Sequence, residues 1–187
     1  GEGGALTINN SAFLDRAEII REKGTNRSQF MKGEVAKYSW VDIGSSYLPG
    51  EVTAAFLWAQ LEDAHLITQK RKVVWSNYHQ AFQDFEYINR VQRPAIPEYS
   101  IHNGHIYFLL LKSIVERNSF IESMRLKGVH CVFHYIPLHS SPIGKKIGRT
   151  SGDLSITEDI SGRLVRLPLW LGVDEKKVIQ STIECLA

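Results

Sequence analysis

The sequence predicts an α/β or α+β fold, helices packed on a small sheet, preceded by a stretch of different character. Three observations carry that expectation. Beyond Pro97, short apolar runs of strand length alternate with helical patterns. Start and stop signals bracket several of those patterns, with Asn10 and Asp174 at starts and Gly24 and Gly128 at ends. Residues 25–50 lose periodicity while gathering Tyr38, Trp40 and Tyr47 among glycines and serines.

Taken in order, Gly1-Glu2-Gly3-Gly4 reads as a glycine turn running into a strand through Ile8. Glycines at such density let the main chain approach another group closely, so the turn is expected to pack on something upstream and the chain to be the cut edge of a longer protein. Asn9-Asn10-Ser11 supply an N-cap, Phe13, Leu14, Ala17 and Ile20 recur at helical spacing, and Gly24 closes the helix. The aperiodic residues 25–50 are too long and too aromatic for a bare linker and are expected to be functional. From Glu51 a helical pattern runs for roughly thirty residues, bent once, with Leu57, Leu61, Ala64, Ile67, Val74, Tyr78, Phe82 and Phe85 read as its core face. Pro94 and Pro97 close that region and divide the chain into domains 1–93 and 94–187. A strand over 106–111, a helix over 119–127, a strand over 129–135 and a polar loop over 137–155 follow. A short helix over 157–163, a strand over 165–169 and a final helix capped by Asp174, with Val178, Ile179, Ile183 and Leu186 inward, complete the series.

With 187 residues, 43% hydrophobic and 22% charged, the composition is that of an ordinary globular chain. A net charge of +2, with both signs interleaved, argues against a nucleic-acid or anionic-membrane partner. No apolar run approaches the roughly 20 residues that cross a bilayer. Cys131 and Cys185 are far apart in apolar contexts, which favours reduced thiols and a cytoplasmic setting over a disulfide or metal site.

Phosphate-binding glycine loops, His-Glu-x-x-His, Cys-x-x-Cys and Gly-x-Ser-x-Gly are all missing from the sequence. His102 with His105, or His130, His134 and His139, lack a carboxylate cluster to complete a ligand set, so they are read as hydrogen-bonded or surface groups and no metal is expected.

Longer strings are more informative. Gly1-Glu2-Gly3-Gly4, Arg21 to Arg27, Tyr38 to Pro49, Ala54 to Leu61, His134 to His139 with Pro142, and Arg166-Leu167-Pro168-Leu169 resemble, in order and spacing, the second half of the DegT/StrS-type sugar aminotransferases. The resemblance implies a fold-type I pyridoxal phosphate enzyme: the end of its large domain with a helix at the domain and dimer boundary, then a small C-terminal α+β domain. It implies a homodimer that moves an amino group from glutamate to the C4 ketone of a dTDP-linked 4-keto-6-deoxy sugar for surface polysaccharide. The lysine that holds pyridoxal phosphate would lie upstream of Gly1, leaving this chain without its central catalytic residue and inactive alone. A sugar dehydratase of the same family and a non-catalytic nucleotide-sugar or protein-binding domain are the competing readings.

Site residues follow from the same resemblance. In many members the loop matching Gly44 to Pro49 carries an asparagine that reaches the cofactor phosphate across the dimer. Here Ser46 stands in that place and Leu48 replaces an arginine, so the hydroxyls or amides of Ser45 and Ser46 would donate instead, unless they only cap the helix starting near Glu51. Arg27 suits a pyrophosphate contact, or is a surface arginine. Tyr38 and Trp40 would cover the sugar or base, or belong to a core or interface. His139 would meet the substrate from its loop.

Overall fold

In the computed structural model, which describes residues 3–187, the chain divides into two compact units, Gly1–Asp63 and Ala64–Ala187.

The second unit is built on a three-stranded antiparallel sheet, β1 (Tyr107–Leu110), β2 (Val132–Phe133) and β3 (Leu164–Leu167), in the order β1-β3-β2. The register sets Tyr107 against Leu167 and Leu109 against Val165. Strand alternation therefore gathers these four on one face. That face meets Trp75 and Tyr78 of α4 (Ala64–Ala81), Phe82 just beyond it, Phe120 and Met124 of α6 (Ile114–Leu126), and Val178 and Leu186 of α9 (Glu175–Leu186) in one core. The expected divide at 93/94 and this division of contacts differ by α4 and α5 (Gln83–Tyr87), because the apolar stripe of α4 enters the same core as the sheet.

Local signals account for the element ends. Asp174 accepts from the Lys177 N–H at 3.1 Å and starts α9 where the sequence places it. Ser113 accepts from the Glu116 N–H at 3.1 Å, so α6 begins at Ile114 rather than near Ser119. Gly128, at φ 72°, lets the Val129 N–H return to the Met124 carbonyl and stop that helix. The expected strand over 129–135 shrinks to two paired residues, because β2 is an edge strand and the chain turns at Pro137. The expected polar loop contains a 3₁₀ turn at Leu138–Ser140, then α7 (Pro142–Ile147), whose Ser141-Pro142 start combines a side-chain cap with a proline in the first turn. Then α8 (Ser155–Arg163) leads into β3.

In the first unit, α1 (Leu14–Arg21) follows a 3₁₀ turn capped by Asn10, α2 (Arg27–Met31) is a single short helix, and α3 is Glu51–Glu62. The expected strand over 5–8 does not form, since nothing among the described residues pairs with it. The glycine turn at its start lies partly outside the described residues. The single long helix is instead α3, α4 and α5, interrupted at Asp63 and Phe82. Leu57 and Leu61, expected in the core, are 50% and 60% exposed. Hydrophobic residues surround α3 on every side, so no single stripe directs it onto a core as in α4.

Cys131 and Cys185 are free thiols; burial pushes Cys131 up to about 12 and raises Cys185 as well. Among the described residues no helix is long and apolar enough to cross a membrane, and no three His, Cys, Asp or Glu side chains come together as a metal site.

Candidate functional site

The aperiodic stretch folds as a clasp against the end of α1. Its rungs are backbone bonds from Lys23 N–H to the Ser45 carbonyl (3.0 Å), Ser45 N–H to Ile20 (2.9 Å), Tyr47 N–H to Arg21 (3.0 Å), Val41 N–H to Gly24 (2.9 Å) and Asn26 N–H to Ser39 (3.2 Å). Two glycines make the crossing possible. A Cβ on Gly24 (φ 78°) would stand 1.8 Å from the Asp42 carbonyl oxygen, and one on Gly44 would stand 2.2 Å from the Gly24 nitrogen. Asp42 accepts from the Ile43 N–H at 2.7 Å and pairs with Arg16, which ties the loop back to α1.

This clasp brings Arg27, Tyr38, Trp40, Ser45 and Ser46 into one unit, whereas His139 belongs to the other. Arg27 opens α2, and its Nη1 lies 2.6 Å from Oε1 of Glu22, a carboxylate buried at the end of α1. The hydrogen bond from Arg27 and the attraction of Glu22 raise the guanidinium above its ordinary range. Half of the Arg27 side chain stays open to solvent, so the fork can still meet a second anion. Tyr38 packs on Phe30 with ring centroids 5.6 Å apart; it and Trp40 are 52% and 78% exposed, so neither is a core residue of this unit. His139 sits on a 3₁₀ turn with Nε2 2.8 Å from Oε1 of Glu158, at an angle that leaves the nitrogen without a hydrogen bond.

The serines divide differently from expectation. The Ser45 amide is spent on Ile20 and is not a free donor. Helix α3 starts from Gly50 without a side-chain cap, so neither serine caps it. The Ser46 amide and both hydroxyls have no hydrogen-bond partner among the described residues, and both residues are exposed. That is a donor set suited to phosphate oxygens. By contrast, the apolar groove of about 1190 Å³ walled by Leu6, Ile8, Phe13, Leu14, Tyr47 and Leu48 is touched by none of the five polar and aromatic candidates. Its lining suits hydrocarbon, and the open donors of the clasp mark the polar chemistry better.

Sequence reasoning missed Glu22 and Gly44. An acid five residues before Arg27, immediately past the last helical residue, and a glycine preceding paired serines were the available signals.

The model of the DegT/DnrJ/EryC1/StrS aminotransferase family matches residues 1–186. The chain belongs to that family. Members use pyridoxal phosphate as cofactor. Among curated proteins it is 27% identical to an uncharacterized Methanocaldococcus jannaschii protein, over 96% of this chain and 47% of the relative. It is 26% identical to the UDP-4-amino-4,6-dideoxy-N-acetyl-beta-L-altrosamine transaminase of Helicobacter pylori, over 89% of this chain and 43% of that protein. Among solved structures, an aminotransferase from Streptoalloteichus hindustanus superposes with a TM-score of 0.77 at 18% identity, covering 95% of this chain and 46% of that one. A sugar aminotransferase from Streptococcus pneumoniae in its PMP form gives 0.74 at 19% identity, covering 96% and 46%. Such likeness establishes the fold, that of the fold-type I pyridoxal phosphate aminotransferases. The chain spans just under half the length of the relatives it matches.

Proposed function

We propose that the chain is the C-terminal portion of a pyridoxal phosphate aminotransferase that moves an amino group from glutamate to the C4 ketone of a nucleotide-linked 4-keto-6-deoxy sugar for surface polysaccharide. The observation that carries this reading is the family match across residues 1–186. Residues 1–93 would end the large domain and 94–187 form the small one, in a cytoplasmic homodimer. Ser45 and Ser46 of one copy would hold the cofactor phosphate of the other, through the free Ser46 amide and the two hydroxyls. When bound, the cofactor supplies the electron sink for amino transfer. Arg27, steadied by Glu22, would bind the pyrophosphate; Tyr38 and Trp40 would cover the sugar or base; His139 would meet the substrate.

The wording of Gly44 to Pro49 favours a dTDP-sugar, as in dTDP-4-amino-4,6-dideoxygalactose transaminase. Two relatives named for a UDP-linked amino sugar favour UDP. The test is amino transfer by the protein that carries this chain together with its cofactor lysine. It is given glutamate and either dTDP- or UDP-4-keto-6-deoxy sugar, with the product read by mass spectrometry. Transfer to neither sugar would sink the reading, and water loss without glutamate consumption would assign the dehydratase. For the chain alone we expect no unique lysine to be labelled by pyridoxal phosphate and borohydride. Lys32 and Lys127, for example, are tied to Glu18 (2.9 Å) and Glu184 (2.6 Å), and those hydrogen bonds raise both amines, which keeps them protonated and poorly nucleophilic. Stoichiometric labelling of one lysine with glutamate-dependent transfer would place the catalytic centre inside this chain. Light scattering that reads only monomer in the active protein would remove the dimer.

A further inference from the structure

Among the described residues of the first unit, Glu22 is the only buried charged residue, with 9% of its side chain exposed. Burying a carboxylate is costly unless it is paired, and its one side-chain partner among the described residues is Arg27, at 2.6 Å. Five residues apart is not a spacing at which side chains on one helix meet. The pair forms because the chain reverses between them. Lys23 and Gly24 take left-handed angles, φ 63° and 78°, and the Thr25 N–H and hydroxyl both return to the Glu22 carbonyl, at 3.0 and 2.8 Å. A left-handed lysine is strained backbone, held here by its N–H rung to the Ser45 carbonyl (3.0 Å). The main chain of Glu22 meanwhile pairs with Ser46 across the clasp. One residue therefore reaches both anion-binding elements, Arg27 through its carboxylate and Ser46 through its backbone. Its own charge has the sign of a phosphate, so it can serve those anions only by placing other groups.

We propose that Glu22 is a positioning residue for the nucleotide pyrophosphate, acting through Arg27, while its backbone bridge to Ser46 leaves the cofactor phosphate independent of its side chain; this role rests on the amino-transfer reading above. The carboxylate takes Nη1 and fixes the guanidinium plane, so the other N–H groups of a side chain half open to solvent are set before the pyrophosphate arrives. Without that contact a long, rotamer-rich side chain has to be ordered on binding. The Glu22 charge also repels the incoming phosphates. That repulsion acts from beyond the guanidinium at a solvent-open site, where water and salt screen it. The ordering cost is not screened, so losing the carboxylate weakens nucleotide binding.

The experiment takes the intact protein with pyridoxal phosphate bound, titrates dTDP and UDP separately by calorimetry, and reads cofactor retention on dialysis by absorbance. For whichever nucleotide the parent binds, Glu22→Met should weaken affinity about three- to tenfold, the cost of immobilising one long side chain. Glu22→Gln keeps a neutral acceptor and should fall between the two. Cofactor retention should match the parent in both variants, an outcome that separates positioning of Arg27 from loosening of the whole clasp. In an Arg27→Ala background, Glu22→Met should change nucleotide affinity by less than about twofold, because the group through which it acts is gone. Urea unfolding should find that double variant more stable than Arg27→Ala alone, in which the buried carboxylate is unpaired. Cofactor lost in step with nucleotide, additive effects in the double variant, a double variant no more stable than Arg27→Ala, or nucleotide binding unchanged or tighter in Glu22→Met would each overturn the proposal and leave the amino-transfer reading standing. A parent that binds neither nucleotide, or Arg27→Ala that binds as the parent does, would instead sink the pyrophosphate reading and this proposal with it.

Discussion

Tyr78 and Tyr107 pose a controlled experiment on the core of the second unit. Both are fully buried and their rings lie 5.5 Å apart, edge to face. Burial pushes both phenols well above their ordinary range. Their hydroxyls differ in one respect: Tyr78 donates to the Pro168 carbonyl at 2.9 Å, whereas the Tyr107 oxygen is enclosed without a partner. Tyr78→Phe strands the carbonyl and should cost about 1–2 kcal/mol. Tyr107→Phe removes a polar atom that gains nothing in the fold and should range from neutral to about 1 kcal/mol stabilising. A change of about 1 kcal/mol moves the melting midpoint of a domain like this one by roughly 3–8 °C, so Tyr78→Phe should lower it by at least that much while Tyr107→Phe leaves it in place or raises it by up to that much. Urea unfolding followed by near-ultraviolet circular dichroism measures both, with an unchanged slope on denaturant as the check that the unfolded state is comparable. If Tyr107→Phe proved as damaging as Tyr78→Phe, the Tyr107 hydroxyl would have a bridging water and the argument from an orphaned donor would fail.

Three further outcomes follow from the same geometry. His79 stacks on Trp75 at 4.6 Å; burial first, then the Arg93 charge and His102, lower it below 6.5, and Glu86 opposes them only in part. The unfolded chain therefore binds more protons, so the His79 contribution is intact above about pH 6.5 and is lost as pH falls through the lowered folded value; His79→Gln should flatten that slope in urea unfolding, and an unchanged slope would refute it. Gly24→Ala drives a Cβ onto the Asp42 carbonyl and should release the clasp, seen as lost amide protection at Val41 and Asp42, whereas Gly33→Ala (φ 77°, with nothing within 4 Å) should cost only about 1 kcal/mol; equal effects would mean the close approach is immaterial. In the amino-transfer assay, Arg27→Ala should raise KM for the nucleotide sugar and leave that for glutamate nearly unchanged, while equal effects on both substrates would remove Arg27 from the pyrophosphate site.

What the sequence disclosed and what it hid have one physical cause. Where a pattern is answered inside the chain it was legible: Asp174 caps α9, Gly128 stops α6, and Tyr78 and Phe82 reach the sheet. Where apolar residues find no partner among the described residues, periodicity misled, as with the strand over 5–8 and the leucines of α3. The serines followed the same rule, since whether an amide is free depends on the rung across the clasp and not on the residue itself. Among the described residues no hydrophobic side chain through Asp63 joins the buried core, and Ile43, Val52 and Phe56 are 83%, 86% and 70% exposed. That unit rests on backbone rungs and ion pairs, which contribute far less net free energy than apolar burial. Native-state hydrogen exchange on the chain alone should therefore find the rungs at Lys23, Val41, Ser45 and Tyr47 opening well below the global unfolding free energy. Amides in β1 and β3 should open only with it. Equal protection in the two units would show that the clasp has a source of stability that neither its hydrogen bonds nor its burial supplies.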